Sequence, residues 1–247
     1  VTPTSSTVLI LGAASDIGIA LAHEYAKAGR GLVLAAREAA RLATDAEDLR
    51  VRHGVSVDLV EWDILALNGG AEPLLALPVL PDIAICVAGL LGDQTISERD
   101  AAVADVVMRT NYLGPALVLG ALANRFEARG SGCLIGISSV AGDRGRASNY
   151  IYGAAKAGLT AFLSGLRNRL AKKGVHVLTV KPGFVDTRMT AGMKLPKPLT
   201  AQPDEVARAI VAAAARGKNI IYVRPVWRLI MAIIRAIPET VFKTMKI

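Results

Sequence analysis

Short apolar runs alternate along the chain with longer stretches in which apolar residues return every third or fourth position. The runs fall at Thr7 to Leu11, Gly31 to Ala36, Ser56 to Trp62, Asp82 to Val87, Gly132 to Ile137, His176 to Val180 and Asn219 to Val223. Their brevity and aliphatic content predict seven strands buried on both faces, as in a parallel sheet. Between them, Ile17 to Ala28, Glu38 to Arg52, Val103 to Arg129, Tyr150 to Lys173 and Pro203 to Arg216 carry helical periodicity. In the fourth of these, Leu159, Phe162, Leu163, Leu166 and Leu170 share one face and Gly174 ends the helix, while Pro203, Asp204 and Glu205 open the fifth as its dipole favours. No repeat, low-complexity segment or linker interrupts the alternation. The pattern predicts an α/β fold: a doubly wound parallel seven-stranded sheet with helices on both faces.

The turn between the first strand and helix reads G-A-A-S-D-I-G. Gly12 and Gly18 stand where a missing side chain lets backbone approach a phosphate at a helix amino terminus, which makes the sheet Rossmann-type. The second strand ends Leu34, Ala35, Ala36, Arg37. An acid there would accept from a ribose 2′-hydroxyl, whereas an arginine pairs with a 2′-phosphate, so Arg37 favours NADP(H) over NAD(H). Asp63, after the third strand, either accepts from the adenine amino group or caps the next turn.

The 247 residues fit one catalytic domain over 1–224, with an added segment at 225–247. Hydrophobic residues make up 52% and aromatics 4%, an aliphatic core. Cys86 and Cys133 sit in apolar runs as expected free thiols, and His23, His53 and His176 lack metal-ligand spacing, so no metal is expected. The amino terminus, V-T-P-T-S-S, shows no charged region leading into a long apolar one, and a cytoplasmic protein is expected. The net charge of +8 is concentrated late: residues 216 to 247 carry seven Lys/Arg against Glu239 alone. No nucleic-acid partner is expected.

Candidate chemistry centres on Ser138 to Lys156, written S-S-V-A-G-D-R-G-R-A-S-N-Y-I-Y-G-A-A-K. Residues four apart share a helix face, so Tyr152 and Lys156 set a phenol beside an ammonium. With this pair the chain resembles a short-chain dehydrogenase/reductase from Thr7 to Val223. The matching features run in order: the glycine turn, Ala88-Gly89, Asn111 in N-Y-L-G, Ser139 in I-S-S-V-A-G, Tyr152 with Lys156, and P-G-F-V-D-T from Pro182. The resemblance implies a tetrad of Asn111, Ser139, Tyr152 and Lys156. Tyr152 would exchange a proton with the substrate oxygen as hydride moves, its pKa lowered by the Lys156 ammonium and an oxidised nicotinamide. Ser139, preferred to Ser138 by its thirteen-residue distance from Tyr152 in the family, would hold the same oxygen. Lys156 would also bind the nicotinamide ribose, and Asn111 would support a proton relay through water. Ser15, Asp16, Ile17, Ala88, Gly89, Pro182, Gly183, Val185 and Thr187 would complete the cofactor site.

Two departures stand out. Asp16 sits where the family usually has glycine, either near phosphate or as a helix cap, and Cys86-Val87-Ala88-Gly89 replaces Asn-Asn-Ala-Gly. The segment Asp186 to Gln202, the family's substrate lid, mixes Met189, Met193 and Leu195 with Arg188, Lys194 and Lys197. With Arg144 and Arg146 expected at the same mouth, the rim implies an anionic substrate with an apolar portion. Beyond the seventh strand, Val226 to Ile237 is apolar apart from Arg228 and Arg235. Twelve residues cover about 18 Å, short of a hydrocarbon core of about 30 Å. The segment is expected either in a membrane interface, with Trp227 among the headgroups and Arg228, Arg235, Lys243 and Lys246 on anionic lipid, or in a homo-oligomer contact. Peripheral placement on the inner face of the cytoplasmic membrane would follow from the first. The expected activity is hydride transfer between NADP(H) and a carbonyl or secondary alcohol. Alternatives are reduction of a lipid-phosphate-linked keto-sugar, as in the polyprenyl-phosphate branch of the family, and noncatalytic nucleotide sensing; an epimerase or dehydratase is disfavoured by the short carboxy-terminal region.

Overall fold

A computed structural model describes residues 6–245; the leading V-T-P-T-S and the final Lys246 and Ile247 lie outside them. All seven expected strands form: β1 Thr7–Leu11, β2 Gly31–Ala36, β3 Val57–Glu61, β4 Ile83–Cys86, β5 Gly132–Ile137, β6 Val175–Pro182 and, last in the sheet, β9 Ile220–Val223. Every pairing is parallel, in the order β3-β2-β1-β4-β5-β6-β9. The chain winds one way from β1 and then the other from β4, leaving a crevice where the order reverses, at the carboxyl ends of those two strands.

Alternation along the strands feeds two apolar layers. Ile10, Leu34 and Ile85 face α1 (Asp16–Lys27) and α8 (Pro203–Ala215), where Leu21 and Ile210 are buried with them. Leu9, Val33 and Ala84 face the other way, onto α6 (Gly114–Arg129) and α7 (Tyr150–Leu170), against Leu122, Phe126 and Leu163. Both sides being covered, the strands read as unbroken apolar runs. Helix α2 (Ala43–His53) starts later than its periodicity implies, because the Glu61 carboxylate accepts the Glu38 and Ala39 N–H groups and holds Glu38 in the left-handed region at φ 52°. Short helices α3 (Ala71–Leu75) and α4 (Gln94–Ser97) fill the next connections. The long helix expected at Val103 to Arg129 comprises α5 (Ala101–Met108), a π-helical turn at Arg109–Leu113, and α6. Such turns recur at functional sites, and this one carries Asn111.

Two elements lie outside the periodic signal. β7 (Phe184–Val185) and β8 (Thr200–Ala201) pair in parallel and pin both ends of the lid segment. The carboxy-terminal stretch folds as α9 (Val226–Ala236) and α10 (Glu239–Phe242), and α9 packs on the domain. Trp227 is only 4% exposed, contrary to its expected place among lipid headgroups. Its indole donates to the Leu199 carbonyl, lies edge-on to Phe184, and covers Gly183, where a Cβ would fall 2.0 Å from the ring. Any larger residue at 183 would displace it. Met231 completes this small core with Val140.

Candidate active site

The glycine turn is built as a cradle. Gly12 has φ +88°, and a Cβ there would lie 2.9 Å from the Ala88 backbone nitrogen; one on Gly18 would lie 2.7 Å from two carbonyl oxygens of the turn. Ser15, rather than Asp16, caps α1: its hydroxyl accepts from the Gly18 N–H at 3.1 Å and donates to the Gly12 carbonyl at 2.8 Å. These residues fit a dinucleotide whose pyrophosphate rests on the helix amino terminus. Arg37 is exposed just past β2, and Asp63 accepts the Leu65 N–H at 3.0 Å, the turn-capping role. Among the described residues no cluster has the composition of a metal site.

Beside the turn opens a cavity of about 320 Å³ whose lining includes Ser15, Asp16 and Ile17 of that turn together with Phe184, Met193 and Trp227. Ser139, Tyr152 and Lys156 line the same cavity, as do Gly89, Pro182, Gly183, Val185 and Thr187. Lys156 is 3% exposed; its ammonium donates to the Ile137 carbonyl at 2.9 Å and lies 5.7 Å from the centre of the Tyr152 ring. Burial pushes its pKa down to about 8. Burial also pushes the Tyr152 phenol up to about 12, with the Ser139 hydroxyl drawing it partly back. Desolvation thus sets the direction, because the phenolate would face an apolar cavity, and the expected lowering by Lys156 does not enter.

Ser139 opens a short 3-10 turn, Val140–Gly142, and its hydroxyl accepts the Ala141 N–H. The Ser138 hydroxyl is committed to the Lys156 carbonyl and the Thr160 hydroxyl, at 2.9 and 2.7 Å. Asn111 is fully buried. Its carboxamide donates to the Leu90 and Val107 carbonyls and accepts the Leu90 N–H, anchoring the strand end that bears Ala88 and Gly89. That anchor supplies side-chain support which Cys86 and Val87 do not.

Residues 6–197 match the short chain dehydrogenase family model. This chain is a short-chain dehydrogenase. It is 40% identical over 247 residues to an uncharacterized oxidoreductase of Mycobacterium tuberculosis, covering 98% of this chain and 97% of that one. It is 30% identical over 222 residues to the acetoacetyl-CoA reductase of Allochromatium vinosum, covering 83% and 89% of the two. Among solved structures it resembles the Sphingobium yanoikuyae short-chain dehydrogenase in complex with NADPH, at TM-score 0.81 and 26% identity over 95% and 97% of the chains. The dehydrogenase is accordingly an oxidoreductase acting on CH–OH and C=O groups.

Within this dehydrogenase the basic rim divides. Arg146 lines the cavity, as do Arg188, Met189 and Met193. Arg188 also closes onto the glycine turn: its Nε and backbone N–H donate to the Asp16 carboxylate at 2.8 and 2.7 Å, and Nη2 to the Ala14 carbonyl. Asp16, in its non-glycine departure, thereby latches the lid to the glycine turn. Arg144 does not face the mouth. Its guanidinium donates to the Ile234 and Ile237 carbonyls and to Glu239, and stacks 3.6 Å from the Phe242 ring centre. The unfilled carbonyls at the end of α9 draw it there.

Sequence reasoning missed four contributors. Trp227 lines the cavity. Lys181 and Asp143, nearly fully buried, pair behind the Ser139 turn, and Tyr222 donates to the same carboxylate at 2.8 Å. An aspartate four residues after the serine and a lysine before Pro182 were the available signals, but nothing in their spacing joins them.

Proposed function

We propose that the dehydrogenase moves hydride between NADP(H) and a carbonyl or secondary alcohol, with Tyr152 as general acid and base. The convergence of Ser139, Tyr152 and Lys156 on one cavity beside the glycine cradle carries this reading. Bound nicotinamide supplies or takes the hydride. Tyr152, protonated at neutral pH, gives its proton to the substrate oxygen in reduction and takes it back in oxidation. Ser139 donates a hydrogen bond to that oxygen and holds it at the phenol. Lys156 places positive charge where phenolate develops, lowering the cost of proton loss. Asn111 keeps the Gly89 turn in place.

NADP(H) is favoured over NAD(H) by Arg37, free to pair with a 2′-phosphate, and by the likeness to an NADPH complex. The test is Tyr152→Phe. Turnover should fall by about 10²–10⁴-fold, while NADPH still raises the melting temperature as it does for the parent chain. Retained turnover would remove Tyr152 from the chemistry.

A second reading, reduction of a lipid-phosphate-linked keto-sugar at an anionic membrane surface, is supported by α9. Leu229 and Ile233 are 63% and 58% exposed on its outer side, with Arg228 and Arg235 exposed beside them.

A further inference from the structure

Lys181 and Asp143 form the most deeply buried ion pair among the described residues, with side chains 8% and 3% exposed. Neither they nor Tyr222, which completes the network, borders the cavity. Taking two charges out of water is costly, and apolar residues of like volume in their place are often neutral or stabilising. Folding stability alone therefore does not account for the pair.

Its place in the fold does. The 3-10 turn that Ser139 opens is closed by two backbone bonds, Gly142 N–H to the Ser139 carbonyl and Asp143 N–H to the Val140 carbonyl, both 3.1 Å. A single turn of this kind has poor hydrogen-bond geometry and holds weakly by itself. On one side it rests on the α7 backbone: a Cβ on Gly142 would lie 2.7 Å from the Ala157 nitrogen, and one on Gly153 would lie 2.9 Å from the Ala141 carbonyl oxygen. Gly153 and Ala157 directly follow Tyr152 and Lys156 in that helix. On the other side, one Asp143 oxygen accepts from the Lys181 ammonium and the other from the Tyr222 hydroxyl. Lys181 and Tyr222 stand opposite each other on β6 and β9, so the carboxylate ties the end of the turn to two strands of the sheet. The turn cannot leave α7 without pulling a charge from its buried partner.

We infer that Asp143 is a positioning residue: its clamp to Lys181 and Tyr222 seats the Ser139 turn on α7 and keeps the Ser139 hydroxyl at the Tyr152 phenol. This deepens the reductase reading, on which the catalytic consequence rests; the seating of the turn does not depend on it. A displacement of about 1 Å in such a constellation costs about a hundredfold in rate, so a residue that touches neither substrate nor cofactor can govern turnover.

The experiment compares the full chain with Asp143→Asn, which removes the counter-charge of Lys181, and with an apolar triple variant, Asp143→Leu with Lys181→Met and Tyr222→Phe. Each is made with Ser139 present and as Ser139→Ala. Hydrogen exchange of the Ala141 to Asp143 amides, followed by mass spectrometry, should speed by about tenfold or more in Asp143→Asn, and by more than the β1 amides do. With NADPH and diacetyl as the probe ketone, kcat should fall about ten- to a hundredfold while the Kd for NADPH holds within about twofold. On the Ser139→Ala background the same change should alter kcat by less than about twofold, because the group being positioned is already gone. The triple variant should fold and bind NADPH, yet lose kcat to the same extent. Turn amides exchanging at the parent rate, an equal loss of kcat with and without the Ser139 hydroxyl, or a fully active triple variant would overturn the inference. If Asp143→Asn does not fold, the triple variant, which leaves no charge buried, decides. A parent chain that binds NADPH but reduces neither diacetyl nor any other ketone would sink the reductase reading, and the clamp would then stand or fall on the exchange of the turn.

Discussion

Lys156 holds an ammonium almost wholly out of water, and that cost is readable in the pH dependence of folding. Its pKa stands at about 8 in the folded chain and near its ordinary 10.5 once unfolded. Between those values the unfolded chain binds a proton that the folded chain has released, so this contribution to stability rises with pH; below about 8 its penalty is complete. Tyr152 acts higher and in the opposite sense: raised to about 12, it lowers stability as pH climbs past 10. The stability difference between the parent chain and Lys156→Met, from urea unfolding at about pH 7.5 and about pH 9.5, should shift by about 2 kcal/mol in the parent's favour at the higher pH. A difference that ignores pH would mean that Lys156 is not held low. Arg37 gives the second residue-scale prediction. Losing a charged hydrogen-bonding partner for a 2′-phosphate is worth about 1.5–3 kcal/mol, so Arg37→Ala should weaken NADPH by about ten- to a hundredfold and barely touch NADH. An equal loss for both cofactors would place Arg37 outside the phosphate site.

Among the elements, α9 is the least expected, because it furnishes cavity wall while also offering an outer apolar side. Trp227→Ala should cost about 3–5 kcal/mol in chemical unfolding, as for other buried aromatics, and should broaden the range of ketones accepted. A loss below about 1 kcal/mol would mean that the indole contributes little to the packing around Gly183. The helix itself was legible in the sequence, since apolar residues recur through Val226 to Ile237. Its orientation was not: Trp227 and Leu229 lie two positions apart, both apolar, and only the bulk removed at Gly183 tells which one is buried. The seven sheet strands were legible because burial on both faces removes polar residues from them. β7 and β8, two residues each, are too short to show a period. In the site, the order of Ser139, Tyr152 and Lys156 marked one helix and the turn before it. Arg144 and Arg146 could not be told apart, because the irregular backbone between them gives no rule for which side chain faces the cavity.

For the molecule as a whole, the uneven charge and the outer side of α9 bear on where the enzyme works. If α9 rests on anionic lipid, Leu229→Asp with Ile233→Asp should lower the fraction bound to vesicles of anionic phospholipid by about tenfold or more, since buried apolar area and basic charge both drive such binding. Both side chains are exposed, so the fold should persist; unchanged partitioning would remove the membrane from the reading. Deleting the segment would be a poorer test, because it also removes Trp227 and Met231 from the interior. The Arg144 clamp has a temporal consequence. It joins the loop after Ser139 to carbonyls and a carboxylate 90 to 95 residues later. On a ribosome adding about 5–20 residues per second, that interval lasts roughly 5 to 20 seconds. The loop after Ser139 is thus tied in order of synthesis, first through Asp143 to Lys181 and Tyr222 and last through Arg144 to residues 234 to 239, so its final clamp closes only as the end of the chain emerges.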